Sequence, residues 1–388
     1  MMKKIALSTL SLALLGAAGA AQAQNSVTLY GVIDTSITYV RHQSGSDNGW
    51  NMGSGNLSGS RWGLKGQEDL GNGLAAIFQL ENGFNSANGQ LGQGSRMFGR
   101  QAFVGLQSNQ FGTVTLGRQY DPVVDLVQPL TGDNYFGSVF ATPGDVDNND
   151  NSSRTSNSIK YLSPNYAGFQ FEGMYSLGGV AGKTGAGQTW AAAVAYNNGP
   201  LGIAGGYFHA DNSNGARVVD ANNGTGWSST SDGTFDGPIN FAYQTAKSIG
   251  IAQVAAQYSI GPVTFGAGYS NSQYKADGHS AFGTEKYNTG RGFVNYQVTP
   301  ALLAGLGYSY TKSSGDTSAK YHQISLGADY SLSKRTDVYL VGAWQHASGD
   351  QRSASTGAIV SAQASVGSYG YAGTSNQAVV AAGLRHRF

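Results

Sequence analysis

The chain has 388 residues, only 12% of them charged, and its 23 Lys and Arg nearly balance 22 Asp and Glu. Without a basic excess, nucleic acid and other polyanions are excluded as principal partners. Cysteine is absent, so disulfides and thiolate metal sites are excluded too. With 58 Gly, 22 Tyr and 16 Phe but only 8 Pro, the composition favours twisted or closed β-structure over helix, where each Gly costs about 1 kcal/mol against Ala. A mean hydropathy of −0.25 fits an all-β transmembrane barrel, whose apolar residues alternate with polar ones and never accumulate in a window.

Residues 1–23 read as a secretory signal peptide: Lys3 and Lys4, an apolar run from Ile5 to Ala18, then Ala21-Gln22-Ala23 as a small-residue cleavage site. Cleavage before Gln24 leaves 24–388 as one domain. Without Lys3 and Lys4, 21 basic residues stand against 22 acidic, a formal charge of −1. No later apolar run reaches the 18 residues a membrane helix needs.

Period-two alternation predicts sixteen strands in chain order. They fall near 27–41, 59–69, 73–83, 98–108, 112–120, 154–163, 168–177 and 188–197, then near 201–210, 249–260, 263–274, 285–298, 301–312, 321–332, 336–347 and 376–388. Clean examples are Val27, Leu29, Ile33, Ile37 and Tyr39, and Leu302, Ala304, Leu306, Tyr308 and Tyr310. Most have the roughly 9 to 11 residues that a tilted membrane strand requires. Every second connection is a tight turn, such as DLGNG at 69–73, NNGP at 197–200 and LSKRT at 332–336, whereas the others include the long polar segments 121–153, 211–248 and 348–375. That sorting of turns to one end and loops to the other belongs to an outer-membrane barrel. The Gly/Asn/Ser-rich stretch 211–235 has a linker's composition, but the same strand rhythm resumes on both sides of it.

Several stretches together resemble a general bacterial porin of the β-proteobacterial type. They are VTLYGVIDTSITY at 27–39, SRWGLKGQEDLGNGLAAIFQLE at 60–81, FGRQAFVGLQSNQFGTVTLGRQYDP at 98–122, RTSNSIKYLSP at 154–164 and the terminal GLRHRF. The resemblance implies a sixteen-stranded antiparallel barrel in the bacterial outer membrane, assembled as a homotrimer, with a water-filled lumen narrowed by an inward-folded third external loop. It also implies basic wall residues facing acids on that loop, and the matching wall positions are Arg61, Arg100 and Arg154, with Lys65 beside Arg61 and Glu81 on the neighbouring strand. A terminal Phe388 on an amphipathic strand resembles the signal read by outer-membrane assembly machinery.

Alternation reaches the same faces. Arg or Lys on the lipid side costs about 2 to 4 kcal/mol at mid-membrane, so Arg61 and Lys65, opposite Trp62 and Leu64, face the lumen. Arg154 and Lys160 share a parity opposite Ile159 and Tyr161, whereas Arg100 shares its parity with Ala102 and Val104 and is not placed by this rule. Segment 121–154 is the candidate constriction loop, carrying Asp121, Asp125, Asp133, Asp145, Asp147 and Asp150 and no Lys or Arg before Arg154. The family's turn often holds a Glu where DNYFG at 133–137 has Tyr135, so Asp133, with Asp121 and Asp125, is the nearest loop acid to face the wall, and Glu81 is counted on the same acidic side.

No enzyme signature is present: there is no G-x-S-x-G elbow, and the six His lack an i, i+4 pair. GGVAGKT at 178–184 falls one residue short of a phosphate loop, with Leu177 where the first Gly belongs. No cofactor or metal is expected. The leading expectation is passive diffusion of ions and small hydrophilic solutes. A sugar- or organic-anion-selective channel would need an aromatic ladder in the lumen, but most tyrosines share the parity of Val, Leu and Ile and are expected on the lipid face or in the girdles. A surface adhesin or receptor with a plugged barrel would need a domain ahead of the first strand, where only Gln24 to Ser26 precede Val27. A barrel hydrolase with scattered catalytic groups would leave no motif.

Overall fold

The computed structural model describes residues 25–215, 226–280 and 282–388. The signal peptide expected at 1–23 and part of the stretch 211–235 lie outside the described residues. Strands β1 (Ser26–Ser44), β2 (Asp47–Ser54), β3 (Arg61–Gly71), β4 (Leu74–Gly83), β5 (Gln101–Ser108) and β6 (Gly112–Gln119) open the chain. After a long connection come β7 (Thr155–Leu162), β8 (Phe169–Ser176), β9 (Thr189–Asn198) and β10 (Leu201–Asp211). The last third holds β11 (Ser248–Ile260), β12 (Val263–Lys275), β13 (Glu285–Gln297), β14 (Leu302–Ser314), β15 (Lys320–Ser331) and β16 (Thr336–Ser348). A small hairpin, β17 (Asp350–Arg352) with β18 (Ile359–Ser361), precedes β19 (Asn376–Arg387).

Neighbouring barrel strands pair antiparallel, and β19 pairs with both β16 and β1, which closes the sheet. Strands β2 and β3 lie end to end along β1, in registers Thr35↔Ser54 and Val32↔Arg61. They share one position, so the barrel has sixteen staves. Strand β2 lies outside the sixteen strands that alternation predicts, because DNGWNMGS offers only Trp50 and Met52 as outward apolar residues. Between β2 and β3, residues 55–60 leave the ladder, and Asn56 and Leu57 are buried.

Outward residues are apolar and exposed, as Leu29 (59%), Leu306 (52%) and Leu340 (56%) illustrate. A soluble sheet would cover them; a barrel leaves them to lipid. The packed core lies inside instead. There Tyr274, Tyr287 and Tyr321 point inward from β12, β13 and β15 and meet Tyr243 and Ile239 of the connection after β10. A second cluster joins Phe136, Val139 and Phe140 to Tyr339, Val341, Val366 and Val379. Most strand tyrosines do face outward, Tyr175, Tyr196, Tyr258, Tyr269, Tyr296, Tyr308 and Tyr330 among them, and these inward ones are the exceptions. Tyr has apolar bulk and a hydroxyl, so it also fills an interior where loop carbonyls and polar side chains supply partners: Tyr287 donates to the Ile239 carbonyl at 2.8 Å and Tyr135 to Gln257 at 3.0 Å.

Candidate functional site: a charged constriction

The segment between β6 and β7 runs through the barrel interior. It opens with α1 (Pro122–Leu126), for which DPVV is a start signal: the Asp121 carboxylate accepts from Val123 and Val124 backbone N–H, and Pro122 occupies the first turn. A second turn, α2 (Asp133–Phe136), carries Phe136 against Gly305 of β14 and Gly327 of β15, which are cross-strand partners. A Cβ at either glycine would overlap the Phe136 ring. Gly137, at φ 65° and ψ −151°, turns the chain back through a region open only to glycine, beside the Asn56 carbonyl. The Val139 carbonyl accepts from Gln323 at 2.9 Å and from Ser325, and the buried Asp147 pairs with Arg291 at 2.6 Å. The loop is thereby fastened to the staves β11–β16, and open space remains on the β1–β7 side.

That space is a cavity of about 620 Å³. Arg61, Arg100 and Arg154 line one side of it; Asp125, Asp133 and Asp150 of the loop line the other. Arg61 faces inward at the start of β3. Arg100 lies just ahead of β5, where strand parity has not begun, so its guanidinium turns inward although Ala102 and Val104 point outward. Arg154 lies just ahead of β7.

The wall is a connected network. Glu81 accepts from Arg100 Nε at 2.8 Å, from the Tyr120 hydroxyl at 2.9 Å and from the Tyr30 hydroxyl at 2.8 Å, and lies 3.6 Å from Arg61 Nε. Arg100 also donates to the Tyr120 hydroxyl at 2.6 Å. The guanidinium carbons of Arg100 and Arg154 each lie 5.6 Å from the Tyr120 ring centre. One carboxylate therefore pairs with two of the three guanidinium groups of the wall, and the third, Arg154, donates to the Ser152 carbonyl at 3.0 Å.

The loop acids are differently placed. Asp125 pairs with Lys160, which also reaches Glu172 at 3.0 Å. Asp133 accepts from Thr131, from Gln128 at 3.2 Å and from Asn149 at 2.6 Å. Burial, and then the charge of Asp150, pushes Asp133 up to about 7. Asp150 accepts from Ser138 at 2.6 Å and from Ser368, and burial raises it as well.

Four sequence expectations are corrected by position. Glu81 belongs to the arginine side, because its neighbours on β3 and β5 bring the bases to it. Asp121 is a buried helix cap that also accepts from Asn148 at 3.1 Å, and it does not border the cavity. Lys65 faces inward but stands closer to the turn end, 5.4 Å from the Tyr30 ring centre, and Lys160 borders a separate cavity of about 400 Å³ with Asp125 and Glu172. Tyr120, Asn151, Ser152, Ser368 and Tyr369 border the main cavity without having been expected. Tyr120 had a signal, standing in GRQYDP at the mouth of the loop; Ser368 and Tyr369 had none, because they come from the last external connection folding inward.

A family model described as Gram-negative porin matches residues 8–350. An outer membrane porin protein of Bordetella pertussis is 34% identical, covering 88% of this chain and 94% of its own length. Outer membrane porin protein 32 of Delftia acidovorans is 30% identical, covering 86% and 87%. Among solved structures, an anion-selective porin from Comamonas acidovorans superposes with a TM-score of 0.71 at 25% identity, over 94% of this chain and all of that one.

Proposed function

We propose, from the premise that this chain belongs to the Gram-negative porin family, that its passive outer-membrane channel prefers small anions. The carrying observation is the charge balance at the cavity: three guanidinium groups line it, only Glu81 pairs with them and it reaches only Arg61 and Arg100, while the loop acids opposite are taken up by Lys160 or by hydrogen bonds of the loops. A charge about 10 Å from a unit charge feels roughly 1.7 kcal/mol at an effective dielectric of 20. That enriches anions in the constriction without trapping them, as conduction requires. The anion selectivity named for the Comamonas porin agrees with this reading.

Of the inward tyrosines, only Tyr120 and Tyr369 border the cavity among the described residues, which is no ladder for a sugar. The chain acts as a channel and not as a catalyst. Cleavage after Ala23, trimeric assembly and recognition of Phe388 by the assembly machinery belong to the same proposal. In support of the last, Phe388 closes the barrel seam by exchanging 3.0 Å backbone hydrogen bonds with Gly31.

The test is the reversal potential in a potassium chloride gradient across a planar bilayer. Wild type is expected on the chloride side of zero, and Arg61→Ala is expected to move it towards potassium while raising conductance. An Arg61→Ala channel with unchanged reversal potential would remove this residue from the selectivity mechanism.

A further inference from the structure

Below the constriction, towards the tight turns, the inner wall of β4–β8 holds the second cavity, of about 400 Å³. Gln107, Thr113 and Gln170 place it there, each being the second residue from the turn end of its strand. Gln101 and Asp125 border both this cavity and the constriction. A solute arriving from the turn side therefore reaches the second cavity without passing Arg61, Arg100 and Arg154.

Its wall is unusual for a wet lumen. Ile77, Phe103 and Leu162 have the inward parity of Glu81, Gln101 and Lys160 on their strands, and Leu126 of α1 borders the same space. All four apolar side chains are only partly covered. Apolar surface held against water is a standing cost that an apolar ligand removes. Spare polar groups surround this strip: among the described residues the side chains of Gln101, Gln107, Gln170 and Thr113 make no hydrogen bond.

The charges are unevenly matched. Lys160 Nζ donates to Asp125 and to the Tyr120 carbonyl at 3.1 Å, and lies 3.0 Å from Glu172 Oε1. Three acceptors thus take its three hydrogens. Two carboxylates meet on one ammonium, and each has an oxygen left over. Glu172 is only 3% exposed, and its Oε2 is buried without a hydrogen-bond partner. Asp125 Oδ1 accepts no hydrogen bond among the described residues, and its side chain is 29% exposed. A buried carboxylate oxygen without a donor is costly. Leu162 pairs with Thr113 on one side and with Glu172 on the other, so the apolar strip and the spare acceptor share one rung of the ladder.

We propose that this cavity binds a protonated primary amine carrying an apolar group, with the ammonium between Asp125 and Glu172 and the apolar body along Phe103, Leu126 and Leu162. The ammonium supplies the donors that the two carboxylates lack, and the Gln101 or Gln170 side-chain oxygen is free to accept its third hydrogen. The apolar body covers the strip. A carboxylate or phosphate is unsuited to the same place, because Lys160 has no hydrogen left for it. Binding there does not depend on the anion preference of the constriction.

An occupant borders the pore at Asp125 and Gln101, so its binding is read as block of the ionic current. The full-length protein is inserted into a planar bilayer near neutral pH, and phenethylamine is titrated on each side in turn, with phenethyl alcohol and phenylacetate as its neutral and anionic counterparts. Wild type is expected to show saturable block by the amine and none by the alcohol or the acid, with the lower half-blocking concentration from the turn side. Glu172→Gln is expected to raise that concentration at least about tenfold. Phe103→Ala, which leaves both carboxylates in place, is expected to raise it roughly fivefold. Each variant is read against its own amine-free current, and Phe103→Ala carries the test by itself if Glu172→Gln does not insert. No saturable block of wild type, equal block by the three compounds, or an unchanged half-blocking concentration in either variant would overturn the site.

Discussion

Tyr120 shows how a single side chain organises the constriction. Its ring centre lies 5.6 Å from the guanidinium carbons of both Arg100 and Arg154, and its hydroxyl links Arg100 to Glu81. Two like charges are thereby kept near one polarisable ring, a contact worth about 0.5 to 2 kcal/mol each. Across the cavity, Asp133 sets how positive the constriction is. Its carboxyl is pushed up to about 7 by burial and by Asp150, so it is neutral below that pH and charged above it. Anion preference is therefore expected to be stronger at pH 5 than at pH 9, and to weaken as pH rises through about 7. Reversal potentials measured across that range would show the step. Asp133→Asn, neutral throughout, is expected to hold the acid-side value, and a variant retaining the full pH dependence would assign the titration to another group.

At the scale of elements, the position of the loop depends on close backbone approach. Phe136 lies over the Gly305–Gly327 pair because neither residue has a Cβ, and this contact fastens the middle of the loop to the far wall. Gly327→Val is expected to push Phe136 off the wall, lowering stability by roughly 1 to 3 kcal/mol and giving a larger, noisier conductance. Thermal unfolding and single-channel recording check the two halves, and wild-type noise with wild-type conductance would show that the loop is held without Phe136.

The same dependence explains what could be read from the chain. The strands were legible because lipid favours apolar outward residues, so Val27, Leu29, Ile33 and Ile37 recur on one face of β1, interrupted only by the small Gly31 and Thr35. Arg61 was legible for the complementary reason, since a charge opposite Trp62 and Leu64 has only water to face. Inward residues answer to distant neighbours. Gln323 serves a carbonyl 184 positions away, and Ser368 reaches Asp150 across 218. No local period encodes such pairings, and for that reason the role of Tyr321 as core had no signature.

For the whole molecule, the outer surface differs from one side of the barrel to the other. On β12–β15 the exposed apolar band is continuous. On β6, Arg118 has the same outward parity as Val114 and Leu116, yet it is buried, held by Asp232, by Ser156 at 2.9 Å and by the Gly99 carbonyl at 2.7 Å, with Arg96 also 3.3 Å from Asp232. A polar cluster on an outward face is costly against lipid, about 2 to 4 kcal/mol for an arginine at mid-depth, and far less so against protein. The staves around β5–β7 are accordingly the side suited to packing between subunits, while β12–β15 is the side suited to lipid. Closed threefold symmetry would bury three copies of the first side and leave three copies of the second at the perimeter. Planar-bilayer recording of the purified protein tests this arrangement, because a trimer with one pore per chain is expected to insert as one large conductance step and to close in three equal substeps at high voltage. Insertions that close in a single step of full size would mean that each chain conducts alone, and Arg118 with Asp232 would then have to be explained as a lipid-facing pair.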